Sequence, residues 1–164
     1  MQLPHRKPPT FTQYATDPLV TAAKFVELEK RLAGLLAGRP RVADEVHRLA
    51  QNGDFSENAE YQMAKGKLRG MNDEIDRLQF QINRAEIIAS SGADSVSIGH
   101  TVTVAVGAAT RTYHILGSSE TDPSRGVISY ASPMGAALLG KKIGDDVEII
   151  LAGKKILYKI LEIK

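Results

Sequence analysis

Gln51-Asn52-Gly53-Asp54-Phe55-Ser56-Glu57-Asn58-Ala59-Glu60-Tyr61 is the stretch on which the fold turns, because one apolar stripe runs into it and a second runs out. Upstream, apolar residues fall at Phe25, Leu28, Leu32, Leu35, Val42, Val46 and Leu49, spaced by threes and fours with only Arg39 interrupting. Downstream, Tyr61, Ala64, Leu68, Met71, Ile75, Leu78, Ile82 and Ala85 keep the same spacing. Each stripe is a heptad seam along a helix. Asn52-Gly53 tolerates positive φ and ends the first helix, and so short a connection makes the two helices antiparallel. The pattern predicts a coiled-coil hairpin whose arms, about 30 residues each, reach about 45 Å.

At its tip sit two carboxylates, Asp54 and Glu57, three residues apart and flanked by Phe55. Two readings stand side by side. Asp54 is a good N-cap for the second helix and Glu57 falls at the third helical position, which makes Asp-x-x-Glu a capping box. The same spacing sets both carboxylates on neighbouring positions, where they could jointly hold a hard divalent cation or orient a water. The roles do not exclude each other.

Composition narrows the field. The chain has 164 residues, no cysteine and no apolar run of membrane-spanning length, which describes a soluble protein with the cytoplasm as its expected compartment. Thiolate metal sites and thiol redox chemistry are excluded, and His5, His47, His100 and His114 lack any short ligand spacing. Residues 18–90 hold eleven Lys/Arg against eleven Asp/Glu, and 91–164 hold eight against seven. So even a balance argues against a free-standing polyanion binder.

Residues 1–17, with Pro4, Pro8, Pro9 and the basic pair Arg6-Lys7, have no helical period and no signal-peptide core, and read as a disordered tail. Asp17-Pro18 predicts a helix start, with the carboxylate as cap and proline at the first helical position. Gly34, Gly38 and Pro40 interrupt the first arm. Because the heptad phase survives them, two helical segments sharing one seam and broken near Arg39 are expected. The hairpin is thus expected over 18–90.

From Ser91-Gly92 the period changes to two. Val102, Val104 and Val106 alternate with Thr101, Thr103 and Ala105, and Tyr113 and Ile115 alternate with Thr112 and His114, as in half-buried strands. Val127 to Tyr130, Val147 to Leu151 and Lys154 to Ile163 predict further strands, the last two joined by a tight turn at Ala152-Gly153. Between the third and fourth of these strands, Ser132-Pro133 and Gly140 bracket one short helix. Residues 91–164 therefore predict a compact antiparallel sheet domain closed by that helix, and the chain as a whole an α+β protein of two domains.

The tip Gly53-Asp54-Phe55-Ser56-Glu57-Asn58-Ala59-Glu60-Tyr61 resembles the G-D-x-x-E-N-A-[DE]-Y signature of the bacterial GreA/GreB transcript cleavage factors, and Pro40 stands at the spacing ahead of it associated with that family. The resemblance continues through Ile128-Ser129, Ser132-Pro133 and Leu138-Leu139-Gly140-Lys141, so it covers the chain from about residue 18 to the C-terminus. It implies an N-terminal coiled coil and a C-terminal FKBP-like domain. It further implies a monomer that docks this domain on the rim of the RNA polymerase secondary channel, through Ser132, Pro133, Met134, Leu138 and Leu139. The coiled coil would enter the pore, with no membrane involved. There Asp54 and Glu57 match the acidic pair that helps the polymerase's own active centre cut the extruded 3′ end of backtracked RNA. That role implies a Mg²⁺ ion held jointly with the polymerase and not by the free protein, in keeping with the few protein carboxylates Mg²⁺ takes. The protein alone is then no nuclease.

Lys65 and Arg69 lie four apart on one helix face, either to hold extruded RNA phosphates or as part of a solvated surface. Phe55 departs from the polar or aliphatic residue expected at its place, and the residues leave the GreA-like and GreB-like forms unseparated. Two other functions compete: a relative that enters the channel and inhibits without cleavage, against which the intact Asp54/Glu57 pair speaks, and a prolyl isomerase or chaperone using the FKBP-like body. An isomerase pocket needs clustered aromatics, and beyond Phe80 the chain offers only Tyr113, Tyr130 and Tyr158.

Overall fold

The computed structural model describes residues 17–51, 59–89, 92, 94–151 and 153–164; the tail expected over 1–17 therefore lies outside them except for Asp17. Among the described residues, 26–84 form one compact unit and 17–25 with 85–164 another. This is not the division expected at 90/91, because a short N-terminal segment and the residues after the second helix both join the sheet unit.

In the helical unit, α1 (Ala22–Ala50) and α2 (Ala59–Arg84) carry the two stripes. From Leu28 to Leu49 and from Tyr61 to Ile82, every stripe residue is buried or half-buried. Several large apolar residues off the stripe are open to solvent, Met63 at 76 % and Val26 at 60 % exposure. The heptad period thus decides which side chains are covered. The helices run antiparallel: Arg31 pairs with Glu74, while Arg39 Nε donates to Asn72 Oδ1 at 2.7 Å and Gly38 faces Met71.

The expected break near Arg39 does not occur, and α1 runs through Pro40. A proline inside a helix removes one backbone bond and crowds the carbonyl four residues back. Here that carbonyl belongs to Leu36, and both residues are exposed, so water can take over the freed acceptor. Gly34 and Gly66 also lie inside these helices, and a Cβ at either would meet nothing within 4 Å. Gly34→Ala and Gly66→Ala are each expected to stabilise the hairpin by about 0.5–1 kcal/mol, since alanine loses less backbone entropy on folding. A rise in the urea midpoint measures this, and an unchanged midpoint would count against it.

Asp17-Pro18 does not start a helix either. Residues 19–20 form a short strand, β1 (Leu19–Val20), parallel to β2 (Glu86–Ile87). The cap of α1 is Thr21, whose Oγ1 accepts from Lys24 N at 3.1 Å. Asp17 is used at longer range, its Oδ2 accepting from Ser118 N at 2.8 Å and its Oδ1 from Leu19 N at 3.1 Å. Glu120, in the same unit, accepts from Thr21 N at 2.7 Å and from the Thr21 hydroxyl at 2.6 Å. Local capping preference lost to these contacts across about a hundred residues of chain. Glu120→Ala should lower stability by about 1–3 kcal/mol, because it leaves two half-buried donors without their acceptor, while Glu120→Gln keeps one of them satisfied and should cost less. Thermal unfolding checks the order; an Ala variant as stable as the parent would show that the lashing contributes nothing.

The main sheet is ordered β5-β4-β3-β7-β6, built from β3 (Thr101–Val106), β4 (Ala109–Leu116), β5 (Val127–Ser129), β6 (Asp146–Leu151) and β7 (Lys154–Ile163). All pairings are antiparallel except β4 with β5, which is parallel. The antiparallel sheet expected is present with this one pairing as an exception; the turns between Ser118 and Arg125 carry the chain back so that β5 enters in the same direction as β4. The helix α3 (Pro133–Leu138) packs on β5 and β6. Val102, Val104, Ile115, Val147, Ile149, Tyr158 and Ile160, the inward halves of their alternating strands, build the core together with Leu138 of α3.

Two glycines are demanded by close approach. A Cβ at Gly117 would stand 2.0 Å from Leu19 O, and one at Gly135 would stand 2.1 Å from Ser129 O. The first lets β1 lie against the end of β4, and the second lets α3 sit down on β5.

Candidate functional site

The tip residues Asp54, Phe55 and Glu57, with the capping box read into them, lie outside the described residues. Their flanks are described. The last turn of α1 carries His47 and Arg48, and Glu60 lies in the described first turn of α2, the arrangement that helix dipoles favour at each end. On α2, Lys65 and Arg69 are both exposed and four residues apart, so they share a face. The Lys65 ammonium stands 5.7 Å from the centre of the Tyr61 ring, one turn nearer the tip. Aromatic and lysine four apart is the sequence signal for this contact, which periodicity alone reads as Tyr61 on the seam.

In the sheet unit, Ser132 caps α3. Its hydroxyl accepts from Gly135 N at 3.0 Å and donates to Ser129 O at 2.7 Å, and Pro133 takes the first helical position. Pro133 is exposed, and Met134 and Leu139 are half-buried against the core. Leu138 is only 1 % exposed. It belongs to the core and presents no surface for docking, because a helix of this length turns one side wholly onto the sheet. Leu139 and Gly140 border a groove of about 590 Å³ beside Leu19, Ile87, Ile88 and Ile98. A second groove, about 360 Å³, runs between α3 and β6 past Ala136, Ala137, Lys141 and Val147. Neither groove is visible in the sequence, since each depends on which loops the fold brings together.

Burial pushes the Tyr130 hydroxyl above its ordinary pKa, with the Asp17 charge and a 3.4 Å hydrogen bond to Asp17 adding to it. Folding therefore favours the neutral phenol. Among the described residues, no group of three or more His, Asp or Glu side chains is placed to hold a metal ion, and no helix is long and apolar enough to cross a membrane. His100 is buried, its Nδ1 accepting from Ser97 N at 3.2 Å.

Among the described residues, a heptad hairpin with cations on one face is joined in sequence to a small curled sheet with one capped helix. Residues 18–87 match the family model "Transcription elongation factor, N-terminal", and 90–164 match "Transcription elongation factor, GreA/GreB, C-term". The chain belongs to the GreA/GreB family of transcription elongation factors. It is 40% identical over 149 residues to the transcription elongation factor GreA of Macrococcus caseolyticus, covering 88% of this chain and 94% of that one. Against the GreA of Streptococcus uberis it is 43% identical over 136 residues, covering 80% and 85%. Among solved structures, the GreA factor homolog 1 protein of Thermus thermophilus overlays with a TM-score of 0.42 at 21% identity, over 90% of this chain and 99% of that chain.

Proposed function

We propose that this chain binds RNA polymerase in its secondary channel and stimulates endonucleolytic cleavage of the 3′ end of backtracked nascent RNA, rescuing arrested complexes. The observation that carries the reading is the nine-residue tip Gly53–Tyr61, set between two helices in a chain of this family. Asp54 and Glu57 supply carboxylates to the polymerase's active centre. Two hard oxygen donors are the chemistry a Mg²⁺ ion accepts, and a pair alone leaves most of its coordination to water and to the partner. The chemistry supplied by an ion held there is activation of water and neutralisation of charge on the reacting phosphate. Lys65 and Arg69 face the extruded RNA, and the Ser132-Pro133 turn with the exposed side of α3 meets the channel rim. Function in the cytoplasm as a monomer follows.

The inhibitory alternative has the intact carboxylate pair against it. The isomerase alternative has the aromatics against it: Tyr158 is buried in the core, and Tyr113 and Tyr130 pack against that core. Adding the protein to artificially backtracked polymerase should release short 3′ RNA fragments. Binding without fragments would favour the inhibitor, and purified protein that cut free RNA with Mg²⁺ would overturn the supporting role given to the carboxylates.

A further inference from the structure

Lysine on an exposed helix face ordinarily samples many rotamers, and ordering it costs up to about 2 kcal/mol. Lys65 is exposed, yet its Nζ rests 5.7 Å from the Tyr61 ring centre, within the range of cation–π attraction. Tyr61 is half-buried on the seam, so its ring is anchored while the lysine is not. Long helical side chains lean toward the N-terminus of their helix. In α2 that is the direction of the segment carrying Asp54 and Glu57. The ring therefore selects, from the many rotamers of Lys65, one that brings positive charge one turn closer to the tip. A second pair with the same spacing, Arg84 over Phe80 at 5.3 Å, lies at the opposite end of α2 and offers an internal comparison.

We propose that Tyr61 is a positioning residue, holding the Lys65 ammonium toward the tip so that it meets a phosphate of the RNA being cut. This rests on the reading of the tip given under Proposed function. The device uses the ring face, so Tyr61→Phe keeps it while Tyr61→Leu keeps the helix and the seam contact but loses the ring.

The test joins a spectroscopic readout to a kinetic one, both on the full chain. Ring current should shift the Lys65 ε-methylene protons upfield in the parent and in Tyr61→Phe, and the shift should vanish in Tyr61→Leu. With backtracked polymerase, Tyr61→Leu should need about two- to fivefold more protein for half-maximal cleavage at an unchanged maximal rate, the size of an exposed cation–π contact. Tyr61→Phe should match the parent, as should Phe80→Leu. Lys65→Met should weaken the response, and adding Tyr61→Leu to it should weaken it no further, because one contact cannot be lost twice. Parent protein that stimulates no cleavage would overturn the functional reading and this proposal together. Normal stimulation with unshifted Lys65 protons, or with additive losses in the double variant, would overturn the proposal alone.

Discussion

Asp54→Asn and Glu57→Gln are each expected to lose stimulated transcript cleavage by about a hundredfold or more, the scale on which removing one preorganised charge-stabilising group acts, while leaving the fold and polymerase binding in place. The choice of substitutions separates cap from catalyst. Asparagine caps a helix about as well as aspartate, and glutamine fills the capping-box position, so any capping by the pair would survive both changes. Only the charge is removed. Carboxylates that serve solely as caps would leave cleavage at the parental level. Carboxylates that serve as hard ligands would lower it and also raise the Mg²⁺ concentration needed for whatever cleavage remains, an effect no capping argument produces. Circular dichroism, competition for polymerase and a Mg²⁺ titration of cleavage read out the three quantities. Parental cleavage with parental Mg²⁺ dependence in both variants would return the pair to a capping role.

Gly117→Ala and Gly135→Ala should be the most destabilising single methyl additions in the described sheet unit. Their new Cβ atoms would lie 2.0 Å from Leu19 O and 2.1 Å from Ser129 O, and a backbone carbonyl cannot swing aside as a side chain does. Something must part: β1 from the end of β4 in one case, α3 from β5 in the other. A cost of about 3 kcal/mol or more is expected for each, at the upper end of overpacking effects, and for a chain of this size it lowers the melting temperature by roughly 6–12 °C. Gly34→Ala and Gly66→Ala serve as opposite controls, because the same methyl enters open space there. Melting temperatures for Gly117→Ala and Gly135→Ala within a degree of the parent would show that the backbone yields cheaply at these points.

How much of this was legible in the sequence depends on how far apart the cooperating residues lie. The heptad stripes declared both helices and which side of each is covered, because a period of three and four is local. Val102, Val104 and Ile115 likewise declared the inward face of their strands, and Ser132-Pro133 declared α3, since a cap and its helix are neighbours. Asp17 misled for the complementary reason: next to Pro18 it has the chemistry of a helix cap, and only its partner at Ser118 gives it other work. Gly117 and Gly135 carry no local mark of the carbonyls that crowd them. Leu138 looked like part of a docking surface because the resemblance names a stretch, not a face, and the fold turns that side chain inward. Pro40 read as a break because the sequence does not say that its helix face looks into water. At the candidate site, the acidic pair is marked by its signature and lies outside the described residues, whereas the perch of Lys65 over Tyr61 required side chains in space.

The strand pair β1 and β2 gives the chain the logic of a guest in a host. Leu19 lies beside Glu86 and Val20 beside Ile87, so the polypeptide leaves the sheet unit and returns to it at adjacent points, with the whole helical hairpin as an excursion between them. An excursion that begins and ends at one doorway can change length by whole heptads without asking anything of the host's core. Reach is then a variable that lineages or engineers can adjust independently of the host. The same topology forbids the simplest dissection: cutting the chain after the hairpin would strip the host of its own first strand and of the Asp17 and Thr21 contacts, so the host is obtained intact only by excising the guest and rejoining the doorway.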